Sequence, residues 1–198
     1  HRLYETTSEP EGFLVLQDRQ LESALITVLE APSGQCSQEA KRLACELLAR
    51  TFRAGESEGP PVRRCEQVKA LIALIVWEEG TQESMPLEVR TSARKALLTL
   101  ACANRSSWSA TLLEFLQDEG AMEQVLAASN REGEEGQRLV VELLLRGFDG
   151  PVAQRFAASP PAPRKRLLNQ LFMSRDAFVR VAVGLLLAAL LCQEDYGE

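Results

Sequence analysis

The side chains that most often carry catalysis are sparse in this chain. Its single histidine is His1, so no Ser/His/Asp triad, no Cys/His dyad and no zinc site with histidine ligands is expected. The five cysteines, Cys36, Cys45, Cys65, Cys102 and Cys192, never stand at CxxC spacing. That suggests neither a zinc ribbon nor a thioredoxin-like centre. Most lie in or beside apolar runs and read as reduced, buried thiols of a reducing compartment. The acidic pairs Glu78-Glu79 and Glu134-Glu135 would do general acid/base work only in a pocket that shifts a pKa. Glu134-Glu135, beside a helix start, is explained equally well by the helix dipole. No Walker loop, GxGxxG, HExxH, GxSxG or kinase series occurs. The expectation is a protein that is not an enzyme and takes neither cofactor nor metal.

What remains is recognition by charge. Arg42, Arg138 and Arg180 open three similar heptapeptides, Arg42 to Leu48, Arg138 to Leu144 and Arg180 to Leu186; Ser92 opens a fourth, Ser92 to Leu98. Aligned helices would place these residues in one column, which would attract an acidic or phosphorylated segment. Glu142 joins the candidate set because Arg138 with Glu142, like Arg42 with Glu46, forms an i, i+4 pair. Such pairs would instead neutralise each charge on its own helix. Arg164, Lys165 and Arg166 form a second candidate patch, a basic triplet at a helix start where the dipole disfavours cations. The preceding Pro160-Pro161-Ala162-Pro163 gives the segment PxxPxK form, either a polyproline II ligand or a stiff connector; helices close on both sides favour the connector.

These residues need elements to position them, and the periodicity is helical throughout. Helices are expected at Leu14 to Leu29, Ser37 to Phe52, Val62 to Trp77, Leu87 to Ala103, Ser107 to Gln117, Ala121 to Ser129, Glu134 to Phe148, Val152 to Ala158, Arg164 to Met173 and Asp176 to Leu191. Gly55 to Pro61 and Gly80 to Pro86 read as loops. Ser107 or Ser109 is the expected cap of the fifth helix and Ser174 that of the last. No segment alternates long enough for a strand, so the fold class is all-α. With 198 residues, 45% of them hydrophobic and 25% charged, the chain is expected to form one domain over residues 1–198. A net charge of −6 argues against a general nucleic-acid binder. His1 to Pro10 is polar and acidic, unlike a secretory leader, which points to an intracellular protein of cytoplasm or nucleus. The absence of an initial Met suggests a piece of something longer. The longest apolar run, Val181 to Leu191, is shorter than the ~20 residues of a membrane span.

The heptapeptides recur with steps of 50, 46 and 42 residues, near the about 40–47 of helical solenoid repeats. The stretch Leu113-Glu114-Phe115-Leu116-Gln117-Asp118-Glu119-Gly120-Ala121-Met122 resembles an armadillo repeat junction, in which an acidic helix end is followed by Gly-Ala-apolar. There Gly120 would allow a sharp turn where a side chain would clash. Glu88-Val89-Arg90 with Ala93, Ala96 and Leu97 resembles the start of the long third armadillo helix. The match covers about Leu87 to Phe148. It implies an armadillo-like α-solenoid, a right-handed superhelix of about four repeats, acting as a scaffold or adaptor that binds a partner segment or subunit. The third helices lack the Trp and Asn ladder of importins, Trp77 and Trp108 lying elsewhere, so that mode of peptide binding is not implied. A second reading is a nucleic-acid-associated scaffold using Arg63-Arg64, the basic triplet and the arginine column. A third, by analogy of fold alone, is an exchange factor or chaperone cofactor. Solenoid ends usually carry a polar cap; a last helix as apolar as Val181 to Leu191 must tuck inward or be covered by a neighbour.

Overall fold

The apolar periodicity becomes ten α-helices, and no strand, among the described residues. The structure, a computed structural model, describes residues 19–32, 34–54, 61–76, 85–118, 120–131 and 133–194. The helices are α1 (Arg19–Glu30), α2 (Gln38–Ala54), α3 (Pro61–Val76), α4 (Leu87–Ala103), α5 (Arg105–Phe115), α6 (Ala121–Arg131), α7 (Glu134–Gly147), α8 (Gly150–Ala158), α9 (Pro161–Phe172) and α10 (Ala177–Glu194). The chain is therefore all-α. The expected helical segment before Arg19, the acidic pair Glu78-Glu79, Trp77 and most of both expected loops lie outside the described residues.

Two compact units result, His1–Ala103 and Asn104–Glu198. In the first, α2 packs on α1 and α4, and α3 on α1 and α4. Leu29, Leu48, Leu71, Ile75 and Leu97 meet in its core, each buried. Lys41 is also buried, at 1% exposure. Its ammonium donates to the carbonyl oxygens of Leu29 at 3.1 Å and Ala31 at 2.5 Å. It thereby satisfies orphan acceptors at the end of α1. Burial pushes the Lys41 pKa down, against the opposing pull of the Cys36 and Cys45 thiols.

In the second unit, α7 touches α5, α6 and α10; α9 touches α6 and α10; α8 touches α5 and α10. Trp108, Phe115, Met122, Phe156, Leu167 and Leu171 fill the centre. The Trp108 indole N–H donates to Leu143 O at 2.8 Å, fixing α5 against α7. Phe148 meets Phe156 edge-on at 5.9 Å between centroids.

The caps differ from expectation. Asn104, not Ser107 or Ser109, starts α5, and its side chain accepts from Ser107 N–H at 3.2 Å. At α8, for which no cap was expected, Asp149 accepts from Val152 N–H at 3.0 Å and also from the Ser109 hydroxyl. At α10, Asp176 accepts from Phe178 N–H at 2.8 Å, while Ser174 only accepts from Asp176 N–H at 3.2 Å. A carboxamide at α5 and a carboxylate at α10 outcompete the nearby serine hydroxyls.

Two further expectations are corrected. Pro161 to Pro163 is not a connector but the first turn of α9, with Pro163 buried; proline's missing N–H costs nothing there. That removes the polyproline reading. At Gly120 a side chain would not clash, since an added Cβ meets only Asp118 Oδ1 at 3.4 Å and Gln124 at 3.9 Å. The close approach occurs instead at Gly147, where a Cβ would sit 2.9 Å from Trp108 Cδ1 and 3.0 Å from Leu112 Cδ2.

Candidate interaction surface

The four patterned helices pair within their units: α2 lies against α4, and α7 against α10. Their arginines meet different fates. Arg42 donates through Nε and Nη2 to Glu39, at 2.9 and 2.6 Å, and through Nη1 to Glu46. It is neutralised on its own helix. The hydrogen bond to Arg42 holds the Glu39 carboxyl below its usual range and raises the Arg42 guanidinium further still. Ser92, the fourth member of the column, is half-buried on α4.

Arg138 and Arg180 converge on one turn, the start of α10. Arg138 Nε reaches Asp176 Oδ2 at 3.2 Å, and its guanidinium stands over the Phe178 ring at 5.6 Å from the centroid. The expected Arg138–Glu142 pairing does not form; Glu142 instead faces Arg146 at 3.9 Å. Arg180 Nη1 donates to the carbonyls of Ser174 at 2.7 Å and Arg175 at 2.9 Å. Its charge meets no carboxylate among the described residues.

The basic triplet divides. Arg164 turns back and donates to the carbonyls of Phe156 and Ser159, at 3.2 and 3.0 Å, closing the end of α8. That accounts for a cation near a helix start: it serves the negative end of the preceding helix. Lys165 and Arg166 stay exposed on α9. Of the other proposed nucleic-acid contacts, Arg64 is half-buried and its pKa is lowered by that burial. The Arg63 side chain lies outside the described residues. Glu134 and Glu135 are exposed in the first turn of α7, where they complement the dipole. Cys45 is buried, and burial pushes its thiol up to about 12, far from a reactive thiolate. Among the described residues no cluster of three His, Cys, Asp or Glu could hold a metal ion.

The apolar last helix, expected to tuck inward or be covered by a neighbour, is buried on one side only. On α10, Val181, Leu185 and Leu191 are 67, 60 and 62% exposed, and Phe178 is 43% exposed. Phe172 and Met173, at the end of α9, are 58 and 80% exposed. The opposite side of α10, with Val179, Ala182, Val183 and Leu186, is fully buried. So α10 is apolar on both faces, a pattern otherwise found in helices covered all round. Its outer face is Ala177, Phe178, Val181, Gly184, Leu185, Ala188 and Leu191, with Arg180 the one charge among them. The signal was present in the sequence as the apolar run from Val181; its exposure was not. No helix among the described residues is long and apolar enough to cross a membrane.

A comparison of the chain with protein-family models, curated proteins and solved structures finds no match.

Proposed function

We propose that the chain is a non-enzymatic interaction module, an armadillo-like helical array over residues 1–198 that holds a partner protein within a larger intracellular assembly. The observation that carries this reading is the solvent-facing apolar side of α10, beside Arg175 and Arg180, which meet no carboxylate among the described residues. Contiguous exposed apolar surface of a few hundred Å² commonly marks an interaction site. Side-by-side packing of α2 with α4 and of α7 with α10 supports the array, because third helices of adjacent repeats stack in this way. The direct test is capture of a partner by wild type and by Leu185→Asp, with Arg42→Glu as control. Loss with Leu185→Asp and retention with Arg42→Glu is the expected result; equal capture by all three would refute this placement of the site.

The exposed Lys165, Arg166, Arg175 and Arg180 favour one second reading, a nucleic-acid-associated scaffold. Binding to duplex DNA or RNA that falls steeply with salt would establish it. The apolar residues between those cations favour the protein partner, since they add nothing to phosphate recognition.

A further inference from the structure

We propose that the outer face of α10 receives a single amphipathic helix whose flanks are acidic. This inference rests on the interaction-module reading and adds the chemistry of the partner. Helical geometry orders the outer face across its width. Arg180 and Leu191 form one wall, Ala177, Gly184 and Ala188 the floor, and Val181, Leu185 and Phe178 the other wall. An added Cβ at Gly184 would meet nothing within 4 Å. The result is a shallow groove, about 20 Å long from Phe178 to Leu191 at ~1.5 Å per residue. A ridge of side chains at i, i+3/i+4 spacing fills such a groove.

The charge of the partner is read from α9, the turn after it and α10 as far as Leu191, ahead of Glu194. From Pro161 to Leu191 the chain, net −6 overall, carries five basic residues and one acidic residue, Asp176. Asp176 is already engaged by Arg138. Lys165, Arg166 and Arg175 are exposed with no carboxylate partner among the described residues, and Arg164 and Arg180 donate only to backbone carbonyls. Acidic flanks would supply the missing counter-charges. A second copy of this chain would bring the same cations to the same groove. A flat bilayer would leave the Gly184 floor unfilled.

The test uses two synthetic helices of about 16 residues, long enough to cover the groove. Both carry Leu at the i, i+3, i+7 and i+10 positions; one has Glu and the other Lys on the flanks. Fluorescence anisotropy with the whole protein reads the affinities. The Glu-flanked helix is expected to bind, to weaken by about tenfold in Arg175→Glu/Arg180→Glu, and to weaken more in Leu185→Asp. Leu185→Gln, with unchanged melting, guards against a folding artefact. Equal binding of both peptides would overturn the acidic partner. So would failure of both peptides while partner capture still depends on Leu185, an outcome that leaves the interaction module intact. Leu185-dependent sedimentation with phosphatidylserine vesicles, or Leu185-dependent dimerisation, without peptide binding would overturn it in favour of a membrane or a second copy. If partner capture itself ignores Leu185, the module's site fails with it.

Discussion

The pair α2–α4 and the pair α7–α10 share one heptapeptide pattern, yet they turn opposite chemistry outward. In the first unit a charged side chain goes inside, Lys41 being buried, and Arg42 is matched by two carboxylates of its own helix. In the second unit apolar groups go outside, and among the described residues Arg180 meets only carbonyls. The repeated positions Leu43, Ala93, Leu139 and Val181 build the pattern, but Val181 is exposed where Ala93 and Leu139 are buried. A shared pattern thus specifies helices that can pack; the surroundings of each helix decide which of its faces is left for a partner. The two units are best told apart by substitutions that attack the support of one surface without touching the other.

The largest effect is expected at Trp108, whose ring is 1% exposed and whose indole N–H is tied to Leu143 O. Trp108→Ala removes the largest side chain holding α5 against α7 and should cost about 3–5 kcal/mol in chemical denaturation. Trp108→Phe, which keeps most of the volume but loses the N–H, should cost less. If both were silent, α7 would not depend on this contact and the platform beneath α10 would have another support.

Next is Gly147→Ala, expected to cost about 1–3 kcal/mol through overpacking. The intruding Cβ would meet Trp108 and Leu112, neither of which is free to withdraw. Gly120→Ala is the control and should be close to neutral, since its Cβ would find ordinary contact. Equal costs at the two positions would place the tight approach at the repeat-like junction after all.

These two glycines mark what was legible in the chain. Helix positions were, because an apolar stripe is a local pattern: α4 was read to the residue, and most other ends within three. Caps were less legible, because Asn104 and Asp176 competed with neighbouring serines and only geometry chose between them. Gly147 was invisible as a packing glycine, for its need arises from Trp108, 39 residues away in sequence. The candidate site was half legible. Arg138 and Arg180 were singled out, but Arg175 and the exposed row of Phe178, Val181 and Leu185 needed the fold. An apolar run looks the same in sequence whether its helix is covered on one side or on two.

In the first unit, the buried charge of Lys41 predicts a pH effect. Its folded pKa is lowered, so between that value and the ordinary lysine value the unfolded chain binds more protons than the folded one. Stability contributed by this group therefore rises with pH in that window and is penalised below it. Lys41→Met removes the titration. Relative to the variant, wild type should gain in thermal melting as pH rises through the range just below the ordinary lysine value of about 10.4. A constant difference across that range would show that the Lys41 pKa is not depressed.

The smallest effects discriminate most sharply between the units, because they separate binding from folding. Arg42→Ala breaks two ion pairs, but both lie at the surface and surface pairs contribute little. Its melting temperature should hardly move. Arg180→Ala loses hydrogen bonds to two carbonyls in the turn before α10 and should also be tolerated, with a slightly larger loss. The two variants then part company in peptide binding. Arg42 has already spent its charge on Glu39 and Glu46, so its removal should leave the Glu-flanked helix bound as before. Arg180, on the wall of the α10 groove, meets no carboxylate among the described residues, so its removal should weaken that helix at low salt. The gap between the variants should close as salt rises, since exposed charges are screened within ~10 Å at 0.1 M and less above it. Parallel losses in both would restore a continuous arginine column as the recognition element.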